Sequence, residues 1–450
     1  MRTMSRFLIT TMPATGHVMP MLPLARELSA RGHELHWYTG AAYRDRVESV
    51  GATHHPIRSA EDYGGMTIPE AFPELVGLTG VKMVRKALQR VFIDNAAGIL
   101  RDCQAVLAEH PADAILSEPT FNAARWLHEL GGPPWADLGI SMLGLYSRDT
   151  APFGPALLPM RGPLGQLRNR LLNAVHRRVV FGSVTEHYER ARAKAGLPRL
   201  GVGFVDALMS PYLYMQSTVP GFEYPRRDLP PQVHFIGPLL PEGAADVRLP
   251  AWWPELAGGR PVVLVTQGTL AADPRQLLVP TVQALAEEDV LVVATTGASP
   301  DQALAALGGS APANARVERF LPYNELLPHV DVLVTNGGYG TVQQALAHGV
   351  PIVVAAATEE KPENAARIAW SGVGVRIRAL SPAPDRIRAA VHRVLERPRY
   401  RERAQAISQE MGRYDAPRTG ADLLEQLADT GKPVTKRARR FRGAPASARG

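Results

Sequence analysis

Residues Phe320 to Arg367 read FLPYNELLPHVDVLVTNGGYGTVQQALAHGVPIVVAAATEEKPENAAR. The apolar run Val332-Leu333-Val334 predicts a buried parallel strand, and Asn336-Gly337-Gly338-Tyr339-Gly340-Thr341 follows at once, ahead of an alanine-rich helical segment. Strand, tight turn and helix start in that order aim backbone N–H groups and the positive end of a helix dipole at one spot. Glycines there let a phosphate approach without meeting a Cβ, and Thr341 adds a hydroxyl donor. Taken alone, the turn is equally consistent with a helix packed closely on its strand.

Near the other end of the chain, the expected first strand Phe7 to Thr11 leads into Gly16-His17-Val18-Met19-Pro20 and a helix near residues 21–31. His17 falls on the loop after that strand, where open α/β sheets bind ligands. An imidazole there has the pKa of a general base, although an isolated Gly-His more often just closes the turn or caps the helix.

The block from Phe320 to Arg367 resembles the donor-binding signature of the family-1 nucleotide-sugar glycosyltransferases, which include the UDP-glycosyltransferases and the macrolide glycosyltransferases. The shared pattern is Phe320-Leu321-Pro322, the glycine turn, Gly349-Val350-Pro351, an acidic region and Asn364-Ala365-Ala366-Arg367. The loop Gly16-His17-x-x-Pro20-x-Leu22-Pro23 is similar to the family's catalytic loop. This resemblance implies an α/β chain of GT-B fold: two facing Rossmann-like domains with parallel sheets and an interdomain cleft. It implies His17 as the base that deprotonates an acceptor. The donor would be a UDP- or dTDP-sugar, held by Gly16, by Gly268 and Thr269 of the loop Thr266-Gln267-Gly268-Thr269, and by Asn336, Gly337, Gly338, Tyr339, Gly340 and Thr341. Phe320 would stack on the base and the Leu321 backbone would contact it; on residues alone, Phe320 serves a core equally well.

Five positions depart from the family pattern. Glu118 stands where an aspartate orients the histidine, Asn336 replaces the turn histidine, and Gln344 takes a ribose-contacting position that is often glutamate. Glu360-Lys361 replaces an Asp-Gln pair that holds sugar hydroxyls, so a deoxysugar such as rhamnose is a candidate donor. We read Asp113 as a surface or strand-start residue.

The 450 residues suit two domains, with 1–236 binding the acceptor, 237–260 as linker and 261–398 binding the nucleotide sugar. Residues 399–430 would form a helix crossing back to the first domain, followed by a disordered basic tail at 431–450. Expected strands are His33 to Tyr38, Ala114 to Ser117, 262–266, 290–295, 332–335 and 351–356, with helices near 81–109 and 121–130. The segments Ser59 to Gly80 and Ala151 to Pro163 read as loops over an acceptor whose Met, Phe and Leu line an apolar pocket or merely anchor the loops.

The formal charge of +7 comes from 50 basic and 43 acidic residues. Lys432, Lys436, Arg437, Arg439, Arg440, Arg442 and Arg449 account for all of the excess, leaving 43 of each sign elsewhere. A neutral body argues against nucleic acid, while the tail suits weak contact with an anionic membrane surface. Cys103 is the only cysteine, which excludes an internal disulfide and suits a reducing cytoplasm. No apolar run approaches a membrane span, and a strand close to the N-terminus leaves no room for a signal peptide.

We therefore expect an inverting, metal-independent glycosyltransferase acting on a hydroxyl of an apolar small molecule, with no bound cofactor. The alternatives are a sugar-nucleotide epimerase or a catalytically weak homologue that activates a partner transferase. The oligomeric state is open.

Overall fold

Short apolar runs such as Phe7-Leu8-Ile9 and Val262 to Val265 become strands buried on both faces, a position that parallel sheets covered by helices provide. The computed structural model describes residues 4–241, 248–267, 273–297, 299–357 and 360–436.

Seven parallel strands form the first sheet: β1 (Arg6–Thr10), β2 (Glu34–Thr39), β3 (Thr53–Pro56), β4 (Ala114–Ser117), β5 (Trp135–Gly139), β6 (Leu213–Gln216) and β7 (Val233–Phe235), in the order β3-β2-β1-β4-β5-β6-β7. The second sheet has six: β8 (Val262–Thr266), β9 (Leu291–Thr295), β10 (Ala315–Glu318), β11 (Val332–Thr335), β12 (Ile352–Ala355) and β13 (Gly374–Ile377), in the order β10-β9-β8-β11-β12-β13. Each is doubly wound. The strand order reverses between β1 and β4 in one sheet and between β8 and β11 in the other, which creates a crevice at each reversal.

Six helices matter for the site: α1 (Leu22–Ala30), α2 (Ala96–Glu109), α3 (Tyr339–Ala347), α4 (Lys361–Ser371), α5 (Arg399–Met411) and α6 (Ala416–Thr430). α5 stays on the second domain, where Ser408 Oγ donates to the Ala347 carbonyl at 2.6 Å. α6 crosses to the first, packing on α1 and burying Ala421, Leu424 and Leu427 in the core beside Phe7 and Ile9.

Three expectations change, the first being the single crossing helix over 399–430, which is two helices, α5 and α6, of which only α6 crosses. The helix near 81–109 is broken: Gly80–Ala87 passes through a wide turn at Leu88–Ile93 before α2 begins. The disorder expected over 431–450 does not hold for 431–436. Val434 is buried, its N–H donates to the Tyr212 carbonyl at 2.8 Å, and its own carbonyl lies 2.9 Å from His234 Nε2. That apolar side chain gives the segment a docking point which its charge pattern hides; residues 437–450 lie outside the described residues. Among the described residues, no helix is long and apolar enough to cross a membrane.

Candidate active site

β1 and β4 are neighbours, so the residues that follow them emerge side by side. His17, in the helical turn Thr15–Val18, places Nδ1 2.9 Å from Oε1 of Glu118, which follows β4 directly. Glu118 is fully buried, and its carboxylate also accepts the Thr120 N–H at 2.7 Å and the Thr120 hydroxyl at 2.6 Å. The longer glutamate therefore reaches the histidine, held by its own turn. The His17 side chain remains 22% exposed.

Burial works against the imidazolium, but attraction to Glu118, its hydrogen bond and the charge of Glu360 together raise the His17 pKa above 6.5. Burial likewise opposes Glu118 ionisation, yet His17 and Thr120 hold its carboxyl below the usual carboxylate value. Glu360 belongs to the second domain and immediately precedes α4. Its charge nevertheless acts on His17 of the first domain.

The glycine turn lies at the second reversal point, after β11. Asn336 Nδ2 donates to the Gln267 carbonyl after β8, bridging the two crevice-forming loops. Gly337 has φ of +93°, and a Cβ there would lie 2.9 Å from the Val354 side chain, so only glycine fits. Asn364 in α4 donates to the Gly337 carbonyl at 2.8 Å and pins the turn. Cβ atoms at Gly338 and Gly340 would meet nothing within 4 Å. The first intrahelical bond of α3 runs from the Val342 N–H to the Gly338 carbonyl, so the N–H groups of Tyr339, Gly340 and Thr341 precede it. Three donors, two open glycines and a helix N-terminus suit a diphosphate.

The Tyr339 side chain does not join them. It is 7% exposed and packs in the second domain's core, and its hydroxyl lies 3.1 Å from Gln216 Nε2 of the first domain. Only its backbone faces the turn. Gln344, one turn along α3, reaches back to the Gly340 carbonyl at 3.4 Å. Lys361 opens α4 with its Cβ and carbonyl beside Gly337. Phe320 is 60% exposed with the Arg319 guanidinium 5.2 Å from its ring centre, which rules out a core role. Leu321 is half-buried against the core. Gly16 lies exposed at the start of the His17 turn, and Gly268 and Thr269 lie outside the described residues. Asp113 accepts the Arg6 N–H at 2.7 Å, at the strand-start edge away from the cleft.

Sequence reasoning missed the residues that hold the domains in register. Arg367, 2% exposed, donates from Nε to Glu223 of the first domain at 3.0 Å and from NH1 to Glu363 at 3.1 Å. Glu363 Oε1 accepts the N–H groups of Gly154 and Ala156, both at 2.8 Å, tying the loop around Ala151 to α4. Thr218 and Gln343 add a 2.9 Å bond across the same junction. Arg367 and Glu363 lay within the quoted motif, whereas Glu223 has no local signal. The loop apolar residues divide in the same way: Phe72 and Leu75 are core anchors, Phe153 packs on the second domain, and Leu157, Leu158 and Met160 are exposed.

Residues 280–427 match the family described as erythromycin biosynthesis protein CIII-like, C-terminal domain. Over 424 residues the chain is 48% identical to a 4'-demethylrebeccamycin synthase of Lentzea aerocolonigenes, spanning 94% of this chain and 99% of that one. It is 32% identical to UDP-glycosyltransferase 2 of Phaeomoniella chlamydospora, spanning 94% and 95% respectively. The solved glycotransferase of kitacinnamycin superposes with a TM-score of 0.72 at 25% identity, covering 95% of this chain and 99% of that one. With two doubly wound parallel-sheet domains and relatives at 48% and 32% identity over nearly its whole length, the chain belongs to the family-1 nucleotide-sugar glycosyltransferases of GT-B fold.

Proposed function

We propose that this glycosyltransferase moves a sugar from UDP or dTDP to a hydroxyl of an apolar, natural-product acceptor, inverting the anomeric centre without a metal. The observation that carries this proposal is the His17–Glu118 pair, with Nδ1 committed to the carboxylate at 2.9 Å. If Nδ1 carries the proton, Nε2 keeps a lone pair for the acceptor O–H. As that proton moves to Nε2, the acceptor oxygen attacks the anomeric carbon and the bond to the diphosphate breaks on the opposite face. The charge that grows on the diphosphate falls to the N–H groups of residues 339–341 and to the Thr341 hydroxyl, with Thr269 as a further donor. Preorganised donors of this kind take the place a divalent cation would otherwise fill.

Phe320 would stack on the pyrimidine, with Gln344 near the ribose and Glu360 and Lys361 at the sugar. The likeness to a demethylrebeccamycin synthase supports a natural-product acceptor, and the likeness to a UDP-glycosyltransferase supports a UDP-sugar donor. The test is calorimetric titration of the chelator-treated protein with UDP, dTDP and GDP, then with their glucose and rhamnose conjugates, followed by NMR of the product anomer. Selective binding of one nucleotide without metal and a product of inverted configuration are expected. Binding that needs a divalent cation, or retention of configuration, would overturn the mechanism.

A further inference from the structure

Three histidines that the reaction does not use meet on the first domain. His36 of β2, His55 of β3 and His110, which ends α2, bring one ring nitrogen each within 4.8 Å of one another. α2 ends just before β4 begins, so the cluster lies toward the strand-start side, away from His17. His36 is 4% exposed; its ring stacks on that of His110 with centroids 4.2 Å apart, so the half-exposed His110 ring turns in order to aim a nitrogen at an ion shared with His36.

The hydrogen bonds around His36 are those of a metal-ligating imidazole. Its Nε2 lies 2.8 Å from Glu34 Oε1, and its Nδ1 faces His55 Nε2 at 2.9 Å. A carboxylate that accepts the N–H of one ring nitrogen leaves the other with a lone pair. Two ring nitrogens facing each other need one proton between them, and an ion can replace that proton as it moves to the far nitrogen of His55 or to solvent. Ligands at about 2.1 Å from a tetrahedral ion stand roughly 3.4 Å apart, so a small separation of these two rings admits one.

Arg58 near His55 and Arg6 near Glu34 oppose an added cation. Glu34, Glu109 at 4.0 Å from His110 Nε2, and the carbonyl end of α2 favour one.

We propose that His36 Nδ1, His55 Nε2 and a ring nitrogen of His110 bind one divalent transition-metal ion of the zinc class, with Glu34 orienting His36 and solvent completing the shell. The ion joins β2 and the edge strand β3 to the end of α2, and its role is structural.

The full chain, stripped of metal by chelation and dialysis, is titrated at neutral pH with Co2+, followed by visible absorption, and with Zn2+ by calorimetry. One ion per chain is expected, with Zn2+ raising the melting temperature. His55→Gln and His110→Gln should weaken binding by about 100-fold or more, and Glu34→Gln by about 10-fold. His17→Gln should bind as tightly as the parent, which separates this site from the catalytic one. His110 sits at a half-exposed helix end, so His110→Gln should keep the parent circular dichroism and remain informative if His55→Gln does not fold. No saturable binding, or binding that survives His110→Gln, overturns the site.

Discussion

Arg367 and Glu223 form a buried ion pair across the two domains at 3.0 Å, with side chains 2% and 1% exposed. Arg226 and the Leu143 N–H also engage the Glu223 carboxylate, at 3.3 and 2.8 Å, and the Arg367 guanidinium lies 4.4 Å from the Tyr224 ring centre. The same helix, α4, carries Asn364 to the glycine turn. The glycine turn and the domain junction are thus set by residues one helical turn apart.

Removal of one partner of such a pair leaves the other charged and buried. Arg367→Met should destabilise the chain by about 3–5 kcal/mol, toward the lower end because Arg226 still faces Glu223. Donor KM should rise as well, since α4 then loses its anchor. A thermal melt and a donor titration check this, and an unchanged melting temperature would show the pair to be incidental.

His17→Ala should lower kcat by about 100-fold or more while nucleotide binding stays close to the parent value. Glu118→Gln should also lower kcat, because the neutral amide no longer stabilises the imidazolium that forms as the proton arrives. Steady-state kinetics beside nucleotide calorimetry separate the two effects. Equal loss of binding and turnover would point to a distorted cleft rather than a missing base.

Because its pKa is raised above 6.5, His17 becomes neutral, and so able to accept a proton, only at a correspondingly higher pH. The acid limb of the kcat profile should therefore lie above 6.5 in the parent. The stability contributed by the pair has the opposite dependence. On the His17 side it is fully present below 6.5 and is lost as pH rises through the folded value. On the Glu118 side it is present above 4.5 and is lost as pH falls through the depressed folded value. Melting temperature against pH should fall on both flanks in the parent, and much less so in a variant lacking both groups.

Phe320→Ala should weaken nucleotide binding by about 1–3 kcal/mol, the scale of a lost stacking contact. Its side chain is 60% exposed, so the melting temperature should hold. If the variant binds normally and melts early, Phe320 is a structural residue after all.

The parts of the fold that were legible in the sequence are those whose residues are apolar for a local reason. β1, β4, β8, β9, β11 and β12 are interior strands with unbroken apolar runs. The edge strands β3, β7, β10 and β13 carry residues such as His55, His234, Arg316 and Arg376, and so lack that signature. β5 and β6 are interior, but Asp137 and Gln216 interrupt their runs, and each finds a partner only in the folded chain: Asp137 accepts the Ser210 N–H, and Gln216 reaches Tyr339. The site divides likewise. His17 and the glycine turn are local patterns that a sequence displays, whereas Glu223 meets Arg367 from 144 residues away with nothing beside it to mark it.

Glu360, just ahead of α4 in the second domain, acts electrostatically on His17 of the first. Its charge is among the causes that raise the His17 pKa, ranking after those from Glu118. Glu360→Gln removes that charge while keeping the side chain's length and its capacity to hydrogen-bond a sugar. The acid limb of the kcat profile should therefore move to lower pH, by less than in Glu118→Gln, where both the nearer charge and its hydrogen bond are altered. Donor preference should change in the same variant, because a carboxylate accepts from sugar hydroxyls with both oxygens and an amide with only one. Profiles measured with glucose and rhamnose donors on the parent and both variants resolve the two effects. A shifted limb with unaltered preference would place Glu360 near the base but away from the sugar, whereas altered preference with an unmoved limb would mean that its charge does not reach His17 once the donor is bound.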